Sequence, residues 1–381
     1  MPKRLAAGAC ALALALATAA CGGGGSSSNA PRKASTVVAN GLPAPEGLLR
    51  VLAREGYTED SWITPFQDQT GCRVLVRYLG PGDDTASLLS QGSYDVVTLA
   101  SEDVPAYAAA HVIRPIDPAL VPHLGTLRPG LRAVPALNRG GTVLGVPFQW
   151  GPNLLVWNSK NLLHAPISWN ALYIKRNSGR ISIPDDPMQI ADAALLAQSQ
   201  HPALHIRSPF QLSEKQLRAA LRLLQRQKKL SPSRWGAASD QVSSFVNGGA
   251  TVGAGWSYVV RELRHEGVPA QGEIPREGAT AWLDAWSLVS TSTHLGCAYR
   301  FLEYSTRAAV QARTSRLVGA APAAPGACTL LGLAVCRSLG YVDATDLKRL
   351  RFRTTPGLSC PGGQRCASAK RWSAVWNRLW R

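Results

Sequence analysis

Apolar positions in this chain form one long run followed by short bursts. Residues 5–20 are almost all Ala or Leu, and the run stops at Cys21. Gly and Ser fill 22–28, and no periodicity is present until about Gly47. Short apolar runs then occupy 48–53, 72–79 and 95–100, separated by segments of helical character at 62–69 and 84–91. Strand-length runs alternating with helices predict βαβ units and a parallel sheet. The pattern resumes at 180–184, followed by a helix over 187–198 with Asp186 as N-cap and Pro187 as its first residue. Ser213-Glu214-Lys215-Gln216 reads as a capping box. Leu217, Leu221 and Leu224 then mark a buried helix face. Strands are predicted at 251–255 and 285–289, and a helix over 294–304. No internal repeat is present. The pattern specifies an α/β chain with more than one sheet.

The first run has the plan of a secretory signal: Lys3 and Arg4, an apolar stretch, then small residues. It is shorter than the ~20 residues a helix needs to cross a bilayer. Ala19-Ala20-Cys21, followed by Gly and Ser, resembles the lipobox of bacterial lipoproteins, with Thr18 where Leu is usual. That resemblance implies a signal over 1–20, acyl chains on Cys21 as the mature N-terminus, and a flexible linker over 21–47. A linker of this length spans roughly 25–30 Å, which keeps a folded body near a membrane.

Composition adds bounds. With 381 residues, 45% of them hydrophobic, the chain has room for two domains of ordinary size. The formal charge of +17 falls by two when the signal leaves. Such a charge invites a nucleic-acid reading. No helix-turn-helix, zinc or RNA-binding signature accompanies it, and the basic residues are dispersed except over 215–229 and 348–381. Specific nucleic-acid binding is not expected; some attraction to anionic lipid is. Without Cys10 and Cys21, six cysteines remain: Cys72, Cys297, Cys328, Cys336, Cys360 and Cys366. An even number in an exported chain favours disulfides, in any of 15 connectivities. Cys328 with Cys336 and Cys360 with Cys366 are near enough in sequence to close small loops.

Catalytic patterns are absent from the sequence. There is no GxSxG, P-loop, HExxH or GxGxxG followed by an acidic residue. The seven histidines are scattered without metal-ligand spacing. No enzyme activity, cofactor or metal is expected.

What the chain does carry is a series of short phrases in fixed order. Glu55-Gly56-Tyr57 precedes Thr70-Gly71-Cys72-Arg73-Val74. Gly92-Ser93-Tyr94-Asp95-Val96-Val97 and Ile113-Arg114-Pro115-Ile116-Asp117 follow. Then come Gly145-Val146-Pro147-Phe148-Gln149-Trp150-Gly151, Val156-Trp157-Asn158 and Ser168-Trp169-Asn170-Ala171-Leu172. Gly179-Arg180-Ile181-Ser182-Ile183-Pro184-Asp185-Asp186-Pro187, Gly255-Trp256-Ser257, Pro275-Arg276-Glu277-Gly278 and Trp282-Leu283-Asp284 complete the series. This order resembles the periplasmic spermidine/putrescine-binding proteins of ABC importers over about 48–325, with Trp376-Asn377 similar in the tail.

The resemblance implies a two-lobed α/β periplasmic-binding-protein fold of type II, with the ligand in a cleft between lobes that close by hinge motion. It implies lobe 1 over 48–153 with part of 286–381 returning, lobe 2 over 154–285, and a basic, cysteine-containing extension, 326–381, packed on lobe 1. It implies a monomeric, periplasmic, membrane-anchored receptor that captures a polyamine and passes it to an ABC permease of the inner membrane. Polyamines need carboxylates for their ammonium groups and aromatic faces along their methylenes. Asp284 and Trp282 match one amine site, and their spacing puts both on one side of an extended segment. Trp256 matches a tryptophan of the other half, Asp186 a second carboxylate, and Tyr57 a cleft tyrosine. Glu102 adds a carboxylate where an aromatic would stand. Asp186 can equally act as an N-cap only, and the two tryptophans as core.

Three positions depart from the family pattern. Arg54 stands where an aromatic is expected, Gln189 where an acid is, and Ala320 where a tyrosine is. These departures leave open another small amine or an anionic solute as ligand. Iron(III) is disfavoured, because the adjacent tyrosine pair of iron-binding relatives is missing. A surface interaction protein that kept the fold and lost transport is the rival from another class.

Overall fold

The computed structural model describes residues 41–80, 83–162, 164–357, 360 and 365–381. The expected signal, Cys21 and most of the expected linker lie outside these residues. In chain order the strands are β1 (Leu48–Ala53), β2 (Arg73–Tyr78), β3 (Val96–Ala100), β4 (Ile113–Arg114), β5 (Asn138–Arg139), β6 (Thr142–Val143), β7 (Val146–Pro152), β8 (Leu154–Asn158), β9 (Ile181–Pro184), β10 (Ser233–Trp235), β11 (Val252–Gly255), β12 (Ala270–Glu273), β13 (Ala279–Val289), β14 (Ala321–Pro322) and β15 (Leu350–Phe352).

They build two lobes, each around its own sheet. The larger sheet runs β14–β7–β13–β3–β1–β2, with β4 and β15 also on β13. The smaller runs β10–β9–β11–β8–β12. In the larger sheet β1 is parallel to β2 and β3. The helices Asp60–Thr70 and Thr85–Gln91 join these strands, giving the two βαβ units that the alternation in 48–100 predicts. The sheet is nevertheless mixed, because β13 enters antiparallel to both β3 and β7. Every residue of β7 is buried, since both of its faces are covered, and its one polar side chain, Gln149, accepts from the Ser315 hydroxyl.

Chain crossings separate the lobes. β7 ends at Pro152 in the larger sheet and β8 begins at Leu154 in the smaller, so Asn153 alone is the first crossing. The second lies over 274–278, between β12 and β13. Because β13 starts at Ala279 and pairs within the larger sheet, the expected lobe boundary at 285 falls inside this strand. The tail makes a third crossing. β15 pairs with β13, but the helix Ala369–Trp380 packs on the smaller lobe and not on lobe 1 as expected. Its buried stripe is Trp372, Val375 and Trp376. The Trp376 indole donates to Asp185 at 2.9 Å, and Arg371 pairs with Glu214 at 3.2 Å. The amphipathic face of this helix finds its partner on the capping-box helix Glu214–Lys228, whose Lys228 donates to the Leu379 carbonyl.

Two further expectations change. The helix expected from Pro187 spans Gln189–Gln200, because the Asp186 carboxylate accepts from the Met188 amide and holds a turn first. The linker expected to reach 47 is already part of the body by 43–46. Glu46 accepts from the Gly296 and Cys297 amides, both at 2.9 Å, at the start of the helix Leu295–Ser305. That position requires glycine: a Cβ on residue 296 would meet the Ala44 carbonyl oxygen at 2.2 Å. The disulfides are Cys72–Cys297, Cys328–Cys336 and Cys360–Cys366.

Candidate functional site

Ligand sites in α/β folds form beyond the carboxyl ends of parallel strands. Here Arg54 directly follows β1, Glu102 lies two residues past β3, Asp186 two past β9, Trp256 directly after β11, and Arg353 directly after β15. β13, antiparallel to β3 and parallel to β15, contributes Trp282 and Asp284. Arg54, Glu102, Trp256, Trp282, Asp284 and Arg353 line one pocket of about 310 Å³.

Asp284 sits where the pairing of β13 with β7 slips between Asp284 and Ala285. A bulge at this place re-aims side chains beside a site. Ala100 at the end of β3 pairs with Asp284, and Ser101 donates to the Leu283 carbonyl, which brings Glu102 alongside. The Asp284 carboxylate is buried and doubly partnered: Arg54 Nε stands 3.0 Å away, and the Tyr57 hydroxyl donates at 2.7 Å. Tyr57 therefore does not line the pocket. Its ring is buried edge-on against Phe148 and Trp286, and it supports Asp284 from behind. Burial, then the adjacent Asp284 charge, pushes its hydroxyl well above the usual tyrosine range. The Arg54 side chain is 46% exposed, so its outer end can move.

Glu102 is the most perturbed acid of the pocket. Burial pushes it up to about 7, opposed chiefly by the Arg353 charge. Arg353 is placed by register: Phe352 pairs with Ala281, and the Arg353 amide donates to the Ala281 carbonyl, next to Trp282. Its Nη1 lies 3.2 Å from Asp186 Oδ2. Asp186 thus meets the pocket only through Arg353, with its other oxygen occupied by the Met188 amide. Neither Gln189 nor Ala320, the other departures from the family pattern, lines the pocket; both are buried.

The two tryptophans stand on opposite sheets. Gly151 pairs with Trp282, and the indole lies flat against it: a Cβ there would be 3.0 Å from two ring atoms. Trp256 meets Trp235 edge-on at 5.0 Å, and its Nε1 donates to Asn153 Oδ1 at 3.0 Å. Asn153 Nδ2 in turn reaches Asp192 Oδ2 and the Thr280 hydroxyl, while Asp192 Oδ1 accepts from the Thr280 amide. Burial pushes Asp192 up to about 6. The first crossing is therefore tied to the start of β13 beneath a tryptophan of the pocket.

Of the residues singled out from sequence, Glu102, Trp256, Trp282 and Asp284 come together; Tyr57 and Asp186 stand one contact behind. Arg353 was missed. It lies in the basic tail, and only the β13–β15 pairing brings it here. The pocket offers acids, guanidinium groups and aromatic faces, which suit binding. Among the described residues no cluster of three potential metal ligands occurs.

Comparison with known proteins agrees with this architecture. Over 274 residues the chain is 27% identical to the putrescine/agmatine-binding protein of Pseudomonas aeruginosa, covering 67% of this chain and 72% of that one. It is 23% identical over 331 residues to the putrescine-binding periplasmic protein of Escherichia coli, covering 82% and 87%. The fold is similar to that of the spermidine/putrescine substrate-binding protein of Streptococcus pneumoniae, with a TM-score of 0.74, 15% identity, and coverage of 87% of this chain and 97% of that one. Residues 61–329 match the model of a family of binding proteins, not enzymes, and the chain belongs to it: the bacterial extracellular solute-binding proteins.

Proposed function

We propose that this chain is the solute-binding subunit of an ABC importer, held outside the cytoplasm by a lipid on Cys21, and that it captures a small organic amine for delivery to a membrane permease. Polyamines of the putrescine and spermidine type are the first candidates, since putrescine and agmatine stand in the names of its relatives. The observation that carries the reading is the convergence of Glu102, Trp256, Trp282 and Asp284, chosen from sequence, on one pocket. Its volume lies at the small end for ligand sites. The tryptophan faces suit methylene groups and ammonium charge, a desolvated cation–π contact contributing up to about 2 kcal/mol. Glu102 and Asp284 supply the anionic partners, and an ammonium that reaches Asp284 displaces the half-exposed Arg54.

Calorimetric titration with putrescine, agmatine and spermidine tests the proposal. We expect heat from at least one of them, and a loss of at least about tenfold in affinity, roughly 1.4 kcal/mol, in Asp284→Asn. Silence across the amines, with no thermal shift, rules amine capture out.

A further inference from the structure

A groove of about 790 Å³ lies on the smaller lobe, where the tail helix Ala369–Trp380 packs against the helix Glu214–Lys228. Its apolar floor is Leu221, Val375 and Leu379, and its rim carries Lys228, Lys229, Arg371 and Arg378. At 3.6 residues per turn, Arg218 and Arg222 continue this rim along the exposed side of the first helix. The one acid of that helix, Glu214, is taken by Arg371. Lys228 is also engaged, on the carbonyls of Leu379 and Arg381. Among the described residues, Arg218, Arg222, Lys229 and Arg378 make no ion pair.

Such a face costs stability. Solvated helix surfaces mix the two signs at i, i+4, whereas Arg218, Arg222 and Arg226 are like charges at that spacing and repel one another. An anionic partner relieves the repulsion. The floor sets a second requirement, because a bare inorganic anion leaves the half-buried Leu221 and Leu379 in water. Cations around an apolar strip suit the boundary between headgroups and acyl chains of a bilayer. Guanidinium groups suit phosphate in particular, through paired N–H donors. A nucleic-acid backbone matches the charge but not the floor.

We propose that this groove is a contact site for an anionic phospholipid surface. Lys229, Arg378, Arg222 and Arg218 meet the headgroup phosphates, and Leu221 and Leu379 face the acyl boundary. The smaller lobe thus has its own hold on a membrane, separate from the lipid proposed on Cys21 and from whatever the pocket binds.

The test is co-sedimentation of the full chain with phosphatidylcholine vesicles, with and without about 30% phosphatidylglycerol, at about 0.15 M salt. Each basic residue near an anionic surface raises partitioning about fivefold. We expect at least about tenfold stronger partitioning to the anionic vesicles, and loss of most of that gain in the triple variant Arg222→Gln, Lys229→Gln, Arg378→Gln. A control variant removes the same charge from exposed positions in β2, β4 and β5, as Arg73→Gln, Arg114→Gln, Arg139→Gln, and should keep the gain. The N-terminal segment is the same in every sample, so it cancels from the comparison, and thermal melts confirm that each variant folds. Equal loss in both variants would mean that net charge acts alone, and the site fails. No gain on anionic vesicles, or a groove-dependent shift of a DNA duplex in its place, also overturns the assignment.

Discussion

Glu102 carries the clearest chemical consequence of a single side chain. Burial holds its folded value at about 7 against 4.5 for a free glutamate, with Arg353 pulling it down and Asp103 and Asp284 pushing it up. A raised acid contributes stability that is fully present below about 4.5 and is lost as pH rises through 7. Ligand binding runs the other way, since an ammonium pairs with the ionised form. Between pH 6 and 8 the affinity for an amine should rise by nearly tenfold, the ratio of ionised Glu102 at those two values. In Glu102→Gln that dependence should vanish; titrations showing the same slope in both proteins would place the ammonium elsewhere. Trp256, Trp282 and Asp284 were legible in sequence because they stand in two of the short phrases, and Glu102 because it closely follows the third strand run. Arg353 was not, because its place depends on a pairing between strands about seventy residues apart, which no local pattern encodes. Tyr57 was legible as a partner of the site, but its burial in an aromatic cluster was not.

At the scale of elements, local signals predicted what local physics decides. β1 occupies the predicted span, and the Ser213–Gln216 capping box forms with both of its bonds. β13 starts six residues before the predicted 285, because Thr280 and Asp284 break its apolar run. The tail helix was placed on the wrong lobe, since an amphipathic stripe of Trp372, Val375 and Trp376 specifies burial without naming its partner. That docking has a measurable weight. Trp376→Ala removes a buried indole and its bond to Asp185, and urea denaturation should register a loss of about 3–5 kcal/mol. A loss under about 1 kcal/mol would mean that the helix is held by its disulfide-closed approach and not by its stripe.

Across the whole molecule, the lobes communicate through very little chain. Asn153 is a crossing by itself, and its side chain joins the Trp256 indole to Asp192 and to Thr280 at the start of β13. A ligand that shifts Trp256 therefore pulls on the crossing strands. Asn153→Ala leaves Trp256 Nε1 unpaired and takes one donor from Asp192, at a cost of about 2–4 kcal/mol. Small-angle scattering should also show less ligand-induced compaction than in the unaltered protein; a variant as stable and as compactable as the original would remove Asn153 from any coupling role.

The way 43–46 joins the body has a mechanical side. Glu46 grips the amides of Gly296 and Cys297, and Cys297 is cross-linked to Cys72 at the foot of β2. Tension arriving along the preceding chain therefore enters at a covalently reinforced corner and spreads into the larger sheet. The smaller lobe makes none of these contacts, so under the proposed anchoring that load would not enter it directly.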